Sequence, residues 1–228
     1  MSGIMVWEWF EKLVAFSTRA EDGCETSSFH CRQLTSMDCG QACARMVLKW
    51  SGAQHELAIG QLSQPCWSVD IFLFLRECGL DASMYSLVRG FSPDNESLSW
   101  YQNHMTAADI DRCNSQFDIA DQRGWVVQHS GQLSMKDIVA RVCDPDTVAI
   151  VLVDDNLLKR RITGNYAGHY VLLVDSVGSE CVYLDPATDA SAKRVDVNVF
   201  DTSRIAQGTD QDIIFCSRSR SVTQGAKG

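Results

Sequence analysis

The stretch HYVLLVDSVGSECVYLD, residues 169–185, sets two runs of β-branched and aromatic residues on either side of Ser176-Val177-Gly178. A glycine at the last place of a three-residue connection suits the left-handed turn of a β-hairpin, so the runs read as antiparallel neighbours. Pairing symmetric about Val177 opposes Leu173 to Cys181, Val171 to Tyr183 and His169 to Asp185, with the last two side chains on one face of the sheet. A His so placed has one ring nitrogen held by the carboxylate and the other free to take a proton.

Working outward, WVV (125–127), VAIVLV (148–153) and DIIFC (212–216) are further short strand-like runs. Ser134-Met135-Lys136-Asp137 has the pattern of a capping box ahead of Ile138, Val139 and Val142. From Cys39 to about Ala120 the period is mostly helical. Ala42, Cys43, Met46, Val47 and Trp50 share one helix face, and Ser68 is placed to cap a second helix that stops at Gly79. The expected class is α+β: an α-rich N-terminal lobe packed on an antiparallel β-sheet lobe, with a cleft between them. Residues 31–217 form the expected domain, after an amphipathic helix and loop (1–30) and before a disordered tail (218–228). In that helix Val6, Trp9, Phe10, Leu13 and Phe16 line one face, which packs on the domain or docks a partner. Glu8 and Glu11 on the polar face disfavour anionic lipid.

The composition excludes several classes. A 228-residue chain with 45% hydrophobic and 21% charged residues is neither fibrous nor largely disordered, and its net charge of -9 argues against sequence-independent binding to nucleic acid. Ten cysteines without a CxxC pair give no foothold for a zinc ribbon and read mainly as reduced thiols. With no run of 18 apolar residues and no basic n-region or small-residue cleavage site, the expectation is a cytoplasmic chain without a membrane span.

The chemistry concentrates in QLTSMDCGQAC, residues 33–43. Cys39 stands where a polar turn gives way to the helical pattern, so the free N–H groups and positive dipole end of the helix favour its thiolate. Gly40 leaves room beside the sulfur, and the Gln33 amide, six residues upstream, is placed to bind an oxyanion together with the Cys39 N–H. His169 follows Cys39 by 130 residues and Asp185 by 146, the interval at which papain-like enzymes carry their His and third residue. The expectation is a papain-like cysteine-hydrolase fold in which Cys39 attacks, His169 moves the proton, Asp185 orients His169 and Gln33 holds the oxyanion. The bland alternatives are a buried structural Cys39, a polar strand-end His169 and a turn Asp185 before Pro186. Cys39 and Cys43 with His30 and Cys31 lack convergent metal-ligand spacing, and His55, His104 and His129 have no acidic or thiol partner at a meaningful separation. Asp109/Asp111 and Asp154/Asp155 are the tight acidic pairs that a metal ion would test, while Trp67, Trp100 and Tyr101 line either the core or the cleft rim. No metal or cofactor is expected.

Gln33 to Cys39-Gly40, Gly168-His169-Tyr170 and Leu184-Asp185-Pro186 resemble the double-glycine leader peptidases, a papain-like superfamily. Over about residues 32–217, DCGQACARMVLKW, WSVDIFLFLRECGL, YAGHYVLLVD and QGTDQDIIF resemble the guanylyl cyclase domain-containing family of plants and animals. The first resemblance implies a thiol hydrolase acting on a peptide or protein; the family name of the second implies conversion of GTP to cyclic GMP. The sequence has neither a GxGxxG nor a GxxxxGK[ST] phosphate loop, so the leading expectation is the thiol hydrolase or acyltransferase. Guanylyl cyclase is the alternative, and a non-catalytic binding module is the third.

Overall fold

A computed structural model describes residues 28–53, 62, 65–129, 131–189 and 191–218. The aromatic helix expected at 4–16, His55 and the tail from 219 lie outside the described residues. Helix α1 (Cys39–Ser51) buries the predicted face of Ala42, Cys43, Met46, Val47 and Trp50, and ends at Gly52, whose φ of 75° lets its N–H return to the Lys49 carbonyl. Helix α2 (Ser68–Glu77) follows, and Gly79 again supplies the left-handed residue past its end. Ser68 is not its cap: Trp67 precedes the first turn, the Asp70 carboxylate accepts the Trp67 N–H at 2.8 Å, and the Ser68 hydroxyl meets Tyr170 Oη at 2.8 Å.

Strand β1 (Asp81–Tyr85) leads to helices α3 (Ser99–His104) and α4 (Ala107–Gln122), then to β2 (Val127–Gln128) and helix α5 (Met135–Val142). Ser134 caps α5 as its sequence requires, its hydroxyl accepting the Asp137 N–H. The remainder is β3 (Thr147–Asp154), the short helix α6 (Asp155–Leu158), β4 (Gly168–Val177), β5 (Glu180–Leu184), β6 (Lys193–Asp196), helix α7 (Val197–Arg204) and β7 (Ile213–Ser217). The class is α+β, and the described residues form seven α-helices and a seven-stranded sheet of order β2-β1-β7-β3-β4-β5-β6. Two expectations are corrected. The helical half contributes strand β1 to the sheet, and the sheet is mixed, because β1 and β2 run parallel. No helix among the described residues is long and apolar enough to cross a membrane.

The sheet is covered on both faces. On one side, Ile150, Leu152, Tyr170, Leu172 and Ile214 pack under α1, α2 and α4; on the other, Val151, Val171, Leu173, Tyr183 and Phe215 pack under α5 and α7. Alternation along β3 and β4 therefore supplies two cores at once.

The β4–β5 hairpin departs from the predicted register. The connection is the two-residue turn Gly178-Ser179, with Gly178 at φ 60°, so Val177 opposes Glu180. Carried straight along, that count would put Asp185 opposite Leu172, on the wrong face for His169. A bulge at Val174 adds one residue to β4, and beyond it Leu173 opposes Tyr183 and Leu172 opposes Leu184. One step further, Asp185 stands against Val171, diagonal to His169 and on its face.

Gly40 lies where α1 meets α2 and β4. A Cβ there would sit 2.6 Å from Cys66 Sγ and 2.8 Å from Ile71 Cδ1. Close packing, rather than open space beside the Cys39 sulfur, is what requires the glycine. Gly40→Ala is expected to lower the unfolding free energy in urea by about 1–3 kcal/mol through overpacking; a loss below about 0.5 kcal/mol would contradict this packing.

Candidate active site

Asp185 is almost completely buried just past the end of β5. Its Oδ1 accepts His169 Nε2 at 2.8 Å and the Ala187 N–H at 2.9 Å, while its Oδ2 lies 3.2 Å from the Lys159 ammonium. Burial by itself would raise the carboxyl pKa, but His169, the Ala187 N–H and Lys159 outweigh it and hold the group well below the usual carboxylate range. His169 shows the same competition. Burial would lower its pKa, yet the hydrogen bonds and charges of Asp185 and Cys39 raise it to about 9. The Cys39 thiol is thus the ring's second polar neighbour, and with Nε2 held by Asp185 the nitrogen left for it is Nδ1. Three residues from α1, β4 and the end of β5 meet at one end of the sheet.

The loop before Cys39 is tied down by Asp38. Its buried carboxylate does not cap α1 but turns back to accept the Leu34 N–H at 3.0 Å and the Thr35 N–H at 2.9 Å. The first-turn N–H groups beside Cys39 are therefore left free of that side chain. Two further bonds join this approach to Asp185-Pro186: the Gln33 N–H donates to the Pro186 carbonyl at 2.9 Å, and His30 Nε2 lies 3.2 Å from the Asp185 carbonyl. The Gln33 amide, expected to bind an oxyanion, is partly engaged within its own loop. Its amide nitrogen donates to the Thr35 carbonyl at 2.7 Å, which commits one of its two hydrogens.

Asp155, His169 and Asp185 bring ligand atoms within 4.8 Å of one another, the one such group among the described residues. A cation of the protein already serves its carboxylates: Lys159 Nζ sits 2.6 Å from Asp155 Oδ1 and 3.2 Å from Asp185 Oδ2. Of the acidic pairs singled out in the sequence, Asp155 is the member that joins this group, while Asp154 and Asp109 are engaged elsewhere. Asp154 caps α6 through the Asn156 N–H, and Asp109 bonds Thr106 at the start of α4. Cys43 is sealed in the core, and burial raises its thiol pKa well above the ordinary value. His104 and His129 are exposed and bond backbone carbonyls. Trp67, Trp100 and Tyr101 line a cavity that reaches Cys39.

Lys159 was missed in the sequence. Its spacing of four from Asp155 signals a local helix pair, but its contact with Asp185 depends on how β3 and β4 are joined.

Residues 29–216 match the family profile described as Guanylylate cyclase. A curated relative, "Guanylyl cyclase 1" of Arabidopsis thaliana, is 28% identical over 205 residues, spanning 82% of this chain and 74% of that protein.

The raised pKa of His169 has a consequence for stability. A group whose pKa rises on folding contributes fully below its unfolded value, near 6.5, and loses that contribution as pH climbs through about 9. Between pH 6 and 9.5 the unfolding free energy should fall by about 3 kcal/mol more in the unaltered chain than in His169→Gln. Parallel pH profiles in urea titrations would show that His169 is not held charged.

Proposed function

The chain belongs to the Guanylylate cyclase family, and we propose that its chemistry is that of a thiol hydrolase or acyltransferase acting on a peptide-like bond. The observation that supports this most is the buried His169–Asp185 hydrogen bond with the Cys39 thiol as the second neighbour of the ring, at the first turn of α1. A core cysteine has no need of a charged imidazole beside it, whereas a nucleophile does. On this reading the fold is papain-like and the protein works in the cytoplasm on a peptide or protein substrate.

In the proposed reaction the Cys39 sulfur attacks a carbonyl carbon, with its proton on His169. The oxyanion lies against the Cys39 N–H and the second amide hydrogen of Gln33. As the tetrahedral adduct collapses, the bond to the leaving amine breaks and His169 protonates that amine, leaving a thioester on Cys39. Water, or an acceptor amine, then attacks the thioester while His169 takes its proton. The carbon–sulfur bond breaks and the thiol is restored. Asp185 keeps the ring oriented and stabilises its charged form throughout.

The second reading, cyclisation of GTP to cyclic GMP, is favoured by the family match and by the name of the Arabidopsis relative. A divalent ion for a triphosphate needs several free oxygen ligands. The acidic set around His169 fits poorly, because Lys159 bridges Asp155 and Asp185.

Labelling with iodoacetamide near neutral pH, read by peptide mapping, separates the two readings. Cys39 is expected to react fastest among the cysteines and to slow at least tenfold in His169→Ala, with a smaller loss in Asp185→Asn, on the order of general-base effects. Cys43 and Cys66 should react only after denaturation. Magnesium- or manganese-dependent cyclic GMP formation that persists in Cys39→Ala and His169→Ala would overturn the thiol reading in favour of the cyclase.

A further inference from the structure

The cavity beside Cys39 has a volume of about 50 Å³ and opens to solvent. Cys39 and Gly168 line it, and so do two carboxylates, Asp210 and Asp212. Its wall is aromatic. The Trp67 and Tyr101 rings stack with centroids 6.1 Å apart, and Tyr101 lies parallel to Tyr166 at 5.8 Å.

The carboxylates are held there at a cost. Asp210 and Gln211 adopt φ values of 47° and 55°, a conformation that disfavours side chains bearing a Cβ by about 1–2 kcal/mol per residue. Bonds on both sides enforce it: Leu87 N–H to the Asp210 carbonyl at 2.9 Å, Gln211 N–H to Thr209 Oγ1 at 3.2 Å, and Leu152 N–H to the Asp212 carbonyl at 3.1 Å. Asn95 Nδ2 serves both oxygens of Asp210 at 3.0 and 3.1 Å. Asp212 is less well supplied. The Ser68 and Ser86 hydroxyls act to lower its pKa, yet Oδ1 is shielded from solvent and has no hydrogen-bond partner among the described residues. No ion pair among the described residues reaches either carboxylate. Burial, and after it the charge of Asp210, push the Asp212 carboxyl up to about 7.

We propose that this cavity is the specificity pocket of the Cys39 site and takes the positively charged head of a peptide-like substrate, an ammonium or guanidinium of lysine or arginine side-chain size. The aromatic wall packs the apolar stem of such a side chain. Asp212 Oδ1 accepts the N–H that it otherwise lacks, and two neighbouring carboxylates repel a phosphate chain while attracting a cation. The role in substrate choice rests on the thiol reading; the binding of the cation does not.

The test uses Cys39→Ala, so that no chemistry intervenes, and calorimetric titration with Nα-acetyl-lysine amide, Nα-acetyl-arginine amide, Nα-acetyl-norleucine amide and GTP. At least one of the two cationic amides should bind about tenfold or more tightly than the norleucine amide, and Asp212→Asn should reduce that preference to about twofold or less. If Asp212→Asn does not fold, Asp210→Asn, whose carboxylate Asn95 already serves, is expected to lower the preference by about threefold. Equal affinity for the norleucine amide and both cationic amides, no saturable binding of either cation, a preference that ignores the substitution, or binding of GTP in place of the cations would overturn the assignment. An inert Cys39 in the labelling experiment would overturn the chemistry alone, because this titration is carried out without that thiol.

Discussion

A carboxylate buried as deeply as Asp185 costs several kcal/mol unless cations and N–H donors surround it. Here the donors come from separate parts of the chain: His169 on β4, the Ala187 N–H just downstream and Lys159 beyond α6. The backbone around the same residue receives His30 and Gln33 from the approach to Cys39. The carboxylate of Asp185 thus holds the imidazole, and the backbone carbonyls of Asp185 and Pro186 hold the loop that leads into α1. Removing Asp185 would take from His169 its hydrogen-bonded carboxylate and leave Asp155 as the carboxylate that pairs with Lys159.

That arrangement depends on parity in the sheet. Both faces of β3 and β4 are buried under helices, so a slip of one residue would exchange the two cores. The Gly178-Ser179 turn sets one register and the bulge at Val174 changes it, so that the apolar side chains stay in their cores while Asp185 reaches the face of His169. Bulges beside functional sites commonly re-aim a side chain in this way.

Much of this was legible in the sequence, and the omissions have physical causes. The helical face of α1, the capping of α5 by Ser134 and the strands at 148–153, 170–174 and 212–216 follow from local pattern, whereas the His169–Asp185 contact arises through a different register from the one the sequence suggests. Strand β1 did not, because Asp81, Ala82 and Ser83 are weak strand formers and its place is set by pairing with the distant β7. The register of the hairpin was misread because Ser176-Val177-Gly178 suits a three-residue loop equally well, and nothing in Val174 marks a bulge. Gly40 was read as space for chemistry when Cys66 and Ile71 demand it for packing. The Asp210–Asp212 segment lies beside an ordinary strand signal, and only the tertiary fold brings it to the cavity that Cys39 lines.

Asp185 keeps the His169 ring charged next to Cys39. Nitrogen-detected NMR of the imidazole side chains across a pH titration tests it directly. His169 should remain doubly protonated until about pH 9, with a slowly exchanging, strongly downfield Nε2 proton that disappears in Asp185→Asn. A His169 ring that titrates near 6.5, or whose Nε2 proton is indifferent to Asp185→Asn, would contradict it.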